Sequence, residues 1–244
     1  PVMRWAGGRV TFEDSVTSSR AITGRELRDA FFQDMSTLTL GVVRARESSL
    51  FVGPLEIIRF GPAKTTRAGV ELPIEGGLAV RKPGGHLRIA ASKGLLTASV
   101  EGYSPLLPLP LYVLTQLPFH HTVMRLHLLR ERGRLPMPGM PAPPAGRIAA
   151  GAIDAGVCTA ATLLAFKHRR LLALAAITAG YHIACWSAAG RTAGGLIVRQ
   201  RVVSVDGSRV SPGQSLVRLL ALPIAAMRVR AIHDQIAGTE VISD

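Results

Sequence analysis

Asp154 sits where a carboxylate is costly. It lies eight residues into GRIAAGAIDAGVCTAATLLAF, residues 146–166, and about 20 apolar residues are enough to cross a bilayer. Arg147 stands seven residues earlier, two helical turns away, so a helix brings both side chains to one face. A charge inside a membrane span costs roughly 2.5–3.5 kcal/mol on insertion scales, and such residues tend to mark ion or proton paths. Two other readings stand beside that one: a structural Arg147–Asp154 pair near a helix end, and a polar position in a buried soluble helix.

Other side chains with chemical potential form no comparable arrangement. His120, His121 and His127 share one helical region, but no carboxylate stands at ligand spacing, so packing is expected of them rather than metal binding. Glu71 and Glu75 fall on an expected strand and face solvent or a cavity mouth. Gly76-Gly77, Gly84-Gly85 and Gly194-Gly195 lack the Lys-Ser/Thr of a phosphate loop. No nucleophile elbow or Ser/His/Asp order is present. The sequence therefore predicts no enzyme, no cofactor and no metal.

The elements that must hold Asp154 are helical and apolar. After Lys167-His168-Arg169-Arg170 comes LLALAAITAGYHIACWSAAG, residues 171–190, with no charged residue. Two such stretches joined by a short loop predict an antiparallel membrane hairpin. Gly151, Ala152, Ala155 and Gly156, with Ala175, Ala176, Ala179 and Gly180, are spaced to let the two helices approach closely. Tyr181 and Trp186 suit interfacial anchoring. Cys158 and Cys185 both lie in these spans and read as free, small apolar residues.

A series of ordered motifs resembles the RDD family of small membrane proteins. Arg147-Ile-Ala-Ala-Gly-Ala-Ile-Asp154 is similar to its opening, and Gly180-Tyr181-His182 with Gly190-Arg191-Thr192-Ala193-Gly194 to its second helix and following loop. Arg201-Val-Val-Ser-Val-Asp206-Gly207 resembles its short polar hairpin. Arg218-Leu-Leu and His233-Asp234-Gln-Ile-Ala-Gly238-Thr239 resemble its closing motifs. The resemblance covers 147–242 and places the family's arginine and two aspartates on Arg147, Asp154 and Asp234, with Gly190, Arg191, Thr192 and Gly194 as the loop motif. Gly195 stands where the family commonly has lysine. The family is thought of as transport-related, so the resemblance implies a role of that kind.

Charge suggests an orientation. The chain has 244 residues, a formal net charge of +13 and only 5% aromatic residues. The cations are spread over both halves, and with few stacking rings no nucleic-acid partner is expected. Arg125, Arg130, Arg132 and Arg134 precede the first span and suit anionic lipid on the cytoplasmic side. The loop after Gly190 adds Arg191, Arg199, Arg201 and Arg209 against Asp206, whereas the opposite loop carries Lys167, Arg169 and Arg170. This bias predicts an integral plasma (inner) membrane protein with its N-terminal domain in the cytoplasm. Residues 214–236 contain Arg218, Pro223, Arg228, Arg230 and Asp234 and read as an interfacial or re-entrant helix, with a short third span as the alternative.

Residues 1–135 are a different kind of chain. Alternation and turn residues predict strands at 9–20, 36–46, 50–60, 66–74, 77–81, 86–91 and 97–103. TGRELRDAFFQD, residues 23–34, predicts a short helix with Thr23 as N-cap and Glu26 closing a capping box. Residues 109–132 predict a longer amphipathic helix bent at Pro118. This order of elements resembles helix-grip, START-like folds, in which a curved antiparallel sheet wraps a long C-terminal helix. The Pro-rich stretch 136–146 is the expected linker, leaving 147–242 as a membrane domain of two or three helices. Two functions follow. One is a membrane protein, acting as a homo-oligomer, that moves or senses a small ion or solute through Arg147, Asp154 and Asp234. The other is a membrane-tethered binding or scaffold protein whose N-terminal domain holds an apolar ligand or lipid.

Overall fold

The computed structural model describes residues 2–133, 135–136, 138–227 and 232–244. Arg134, Arg228 and Arg230, named above for their charge, lie outside these. The chain divides into two compact units, Pro1–Leu135 and Pro136–Asp244.

The first unit begins with β1 (Val2–Ala6), β2 (Arg9–Thr17) and α1 (Gly24–Leu38). It continues through β3 (Val43–Arg46), β4 (Ser49–Val52), β5 (Leu55–Phe60), β6 (Lys64–Thr65), β7 (Gly69–Gly76), β8 (Val80–Lys82), β9 (Gly85–Ser92) and β10 (Leu95–Pro105). It closes with α2 (Leu109–Leu111), a π-helical turn at Tyr112–Gln116 and α3 (Leu117–Glu131). The strands form an antiparallel sheet in the order β1-β2-β10-β9-β7-β5-β4-β3, with β6 beside β7 and β8 beside β10. Period-2 burial builds the core face: Val10, Phe12 and Val16 on β2, Val70, Leu72 and Ile74 on β7, and Leu96, Ala98 and Val100 on β10 are all buried. Thr23 caps α1 as expected, its hydroxyl accepting from the Glu26 amide at 3.3 Å while the Glu26 carboxylate accepts from the Thr23 amide at 2.8 Å.

Several expected elements differ. Residues 36–38 continue α1, so the strand expected at 36–46 begins only at Val43. The expected 50–60 strand is two, reversing at Gly53, whose φ of +58° suits glycine. β1 was not expected. α3 is not amphipathic, because every residue from Val123 to Leu129 is buried. Pro118 does mark an irregularity in the long helix: the π-helical turn directly precedes α3, and a proline supplies no amide to the helical ladder. The basic cluster expected to face lipid is largely used inside the fold. Arg125 is buried and donates to Asp14 at 3.0 Å, Arg132 is buried, and Arg130 pairs with Asp34 at 3.2 Å.

The second unit comprises α4 (Pro144–Ala165), α5 (Arg170–Ala189), α6 (Ala193–Ile197), β11 (Gln200–Ser204), α7 (Pro212–Met227), α8 (Ile232–Ala237) and β12 (Thr239–Ser243). α4 and α5, of 22 and 20 residues, are each long and apolar enough to cross a membrane. On α4 the buried residues are Asp154, Cys158 and Thr162, one face at four-residue spacing. The small residues Gly151 and Gly156 point into open space. They do not mediate the close approach of α4 and α5 that their spacing suggested. Cys158 and Cys185 are free. β11 does not form a local hairpin; it pairs antiparallel with β12, 35 or more residues on. The Pro-rich stretch is packed rather than loose: the Ala142 amide donates to Val241 O at 2.9 Å and the Ser243 amide to Met140 O at 2.9 Å.

Candidate functional site

Two of the charged residues singled out from sequence, Arg147 and Asp154, line one cavity of about 250 Å³ in the second unit together with His182, Trp186, Arg218 and His233, and Asp234 is joined to it through Arg147 and Arg218. They form two sub-clusters rather than one.

The first is built on Asp154. Its Oδ1 accepts from the Tyr181 hydroxyl at 2.8 Å and from the Gly194 amide at 2.8 Å. The Ala193 amide in turn donates to the Tyr181 hydroxyl at 2.7 Å. The carboxylate of α4 therefore receives the start of α6, where unpaired amides and the positive end of the peptide dipoles favour an anion. Thr192 caps the same short helix, accepting from the Gly195 amide at 3.1 Å. The His182 Nε2 lies 4.0 Å from Asp154 Oδ2, and its Nδ1 donates to Thr178 O at 2.8 Å. The Gly-Arg-Thr-Ala-Gly motif now has local reasons. Gly190 ends α5 in a left-handed conformation, φ +68°. A side chain at Gly194 would collide with the Ala150 backbone of α4. Arg191 reaches the Asp244 carboxylate at 2.9 Å.

The second sub-cluster is built on Asp234, buried at 5% exposure. Arg147 Nη2 lies 3.1 Å from its Oδ2, and Arg218 contacts its Oδ1. Thr239 links the pair, accepting from Arg218 at 2.9 Å and donating to Asp234 at 3.1 Å. Arg218 also lies over the Trp186 ring, 4.9 Å from its centroid, and Trp186 meets His182 at 4.8 Å. His233 Nε2 lies 3.6 Å from Asp234 Oδ2; burial first, then the Arg218 and Arg147 charges, push its pKa down to about 4, so it is neutral at pH 7.

Arg147 therefore pairs with Asp234, and Asp154 is held by the Tyr181 hydroxyl and the Gly194 amide. Arg218 is buried and central. In the sequence it stands out as a charge interrupting an apolar segment and as the start of the Arg218-Leu-Leu motif, without an assigned partner. Tyr181 and Trp186 turn inward to Asp154 and Arg218, which their aromatic character alone did not indicate. The α7 segment is fixed by a cap that the sequence did carry: Ser211-Pro212-Gly213-Gln214 forms a reciprocal capping box, with both bonds at 3.1 Å.

The first unit holds a separate cavity of about 110 Å³ lined almost wholly by apolar side chains, among them Phe12, Phe31, Phe60, Leu87, Phe119 and Met124. His120 lines it too, its pKa pushed down to about 4 by burial. His127 and His121 face carboxylates instead, His127 at 2.8 Å from Asp34 and His121 at 3.7 Å from Asp14.

The RDD family model matches residues 169–238, in the C-terminal part, and no family model matches the N-terminal part. The match begins after α4, so Arg147 and Asp154 lie outside it and Asp234 within it. No curated protein and no solved structure matches the chain. The family match and the two apolar helices together point to a membrane protein.

Proposed function

We propose that the chain is an integral membrane protein in which α4 and α5 cross the bilayer and the cavity beside them moves or senses a small ion or solute. The observation that carries this reading is the burial of charge next to membrane-length helices. Asp154, Arg218 and Asp234 are each about 5% exposed, and such groups are held in apolar surroundings only when paired or in use. The arginine–aspartate pairs and the donors around Asp154 leave a cavity able to select by charge. No catalytic role is assigned to it. The charge bias of the loops supports a plasma-membrane location with the N-terminal unit cytoplasmic. With two membrane-length helices among the described residues, a transport path needs several copies, and the open small-residue face of α4 suits contact between them.

The test is solute flux in proteoliposomes, with Na⁺, K⁺ and a pH-sensitive dye as probes. Asp154→Asn preserves shape and removes charge; it is expected to abolish pH-dependent flux while the protein stays folded. Unchanged flux in Asp154→Asn and Asp234→Asn alike would remove the cavity from the mechanism.

A second reading is favoured by the apolar cavity of the first unit. The sheet order, in which the early strand β2 pairs with the last strand β10 and a long helix follows, supports a helix-grip arrangement holding a small apolar ligand. Native mass spectrometry after mild extraction, with Phe31→Trp to fill the cavity, tests it: bound apolar mass should vanish in the variant.

A further inference from the structure

The first unit carries an apolar surface that its own core does not need. Residues 106–119, LLPLPLYVLTQLPF, contain no charged side chain. Leu106, Leu111, Leu114 and Phe119 in this segment are 49%, 51%, 74% and 48% exposed. The neighbouring β7–β8 turn adds Leu78, 53% exposed, brought alongside because the Leu106 amide donates to Ala79 O at 2.9 Å. Contiguous exposure of large apolar side chains on this scale marks an interaction surface. The segment also contains the π-helical turn, a rare conformation that occurs frequently at functional sites.

We propose that this surface docks on the lipid bilayer, with Leu78, Leu106, Leu111, Leu114 and Phe119 in the interface and Arg81 and Lys82 on anionic headgroups. The proposal rests on the reading of α4 and α5 as membrane spans. Three observations favour lipid as the occupant. Between Gly77 and Pro83, and between Gly102 and His121, the only charges are Arg81 and Lys82, both exposed, with no acid. An apolar centre with a cationic rim matches an anionic membrane surface. The residues after α5 that could meet it as protein, 190–211, bear Arg191, Arg199, Arg201 and Arg209 against Asp206, so they are not its electrostatic complement, and a second copy of the same basic rim is not either. The chain itself supplies proximity: α3 ends at Glu131 and α4 begins at Pro144. Phe119 belongs both to this surface and to the wall of the apolar cavity, so docking would set the cavity beside lipid.

Site-directed spin labelling of the full chain tests the proposal. In a Cys158→Ala, Cys185→Ala background, single substitutions Leu114→Cys, Arg67→Cys and Val157→Cys are labelled in nanodiscs of phosphatidylcholine with phosphatidylglycerol. Oxygen and a water-soluble nickel chelate report depth. Arg67 precedes β7, whose first residue pairs with Ala90 at the opposite end of the sheet from β8, and serves as the aqueous control. Val157, midway along α4, reports on the span. The oxygen-to-nickel ratio at Leu114 should be several-fold above that at Arg67, and should fall toward it when Arg81→Glu and Lys82→Glu are added. Nickel access at Leu114 equal to that at Arg67, with Val157 protected, would overturn docking and leave the span intact. Protection of Leu114 from both reagents would show a protein cover and overturn it as well. Nickel access at Val157 would overturn the span and the docking together.

Discussion

Replacing Asp234 with asparagine removes the carboxylate charge that Arg147 and Arg218 both contact while keeping the side chain's volume. Arg218 is 5% exposed and cannot recover its hydration. Removing one partner from a buried pair typically costs ~3–5 kcal/mol. Arg147 is the lesser contributor, since its side chain is 29% exposed and exposed pairs contribute ~0–1 kcal/mol. The loss therefore tracks Arg218. For a chain of this size ~1 kcal/mol moves Tm by roughly 2–4 °C, so Asp234→Asn should lower Tm by about 10 °C. Trp186 lies beneath the Arg218 guanidinium and serves as an intrinsic fluorescence probe in a detergent melt. Arg218→Leu combined with Asp234→Asn should recover part of the loss, because the most deeply buried charge that lost its partner is then removed as well. A shift within a degree of the parent, or a double variant whose losses simply add, would refute the reasoning that these groups are coupled and buried.

Gly194→Val should prevent the loop from lying against Ala150 and break the amide contact to Asp154, lowering the yield of folded protein in size-exclusion chromatography. Thr23→Ala should destabilise the first unit by ~1 kcal/mol through loss of the α1 cap, read as a lower urea midpoint. His120 should titrate by NMR near pH 4 rather than 6.5. Because its folded pKa is depressed, the stability it permits is complete above about pH 6.5 and is lost as pH falls from there toward 4; a flat urea midpoint over that window would contradict the buried position of the ring.

How much was legible depended on whether the signal was local. The capping box at Thr23 and Glu26 and the alternation of β7, β9 and β10 read directly, because propensity, burial and turn chemistry agree there. Residues 36–42 misled because Ser-Thr-Leu-Thr-Leu-Gly-Val suits a strand locally, yet the helix packs on through Leu38. Asp14 was readable in principle: it stands in phase with Val10, Phe12 and Val16 on the buried face of β2, so a partner was required, and Arg125 on α3 is that partner. In the second unit Arg147, Asp154 and Asp234 stood out as charges among apolar residues. Their partners did not, since Tyr181, Gly194, Arg218 and Thr239 are brought together only by the packing of α5, α6, α7 and β12. The pairing of β11 with β12 is similarly non-local and left no trace in turn residues.

The account's central claim is that α4 and α5 hold the chain in a bilayer. Alkaline carbonate washing of membranes containing the full-length protein tests it most directly. Retention in the membrane pellet, with solubilisation only by detergent, is the predicted result. Release of the intact chain into the supernatant would contradict it.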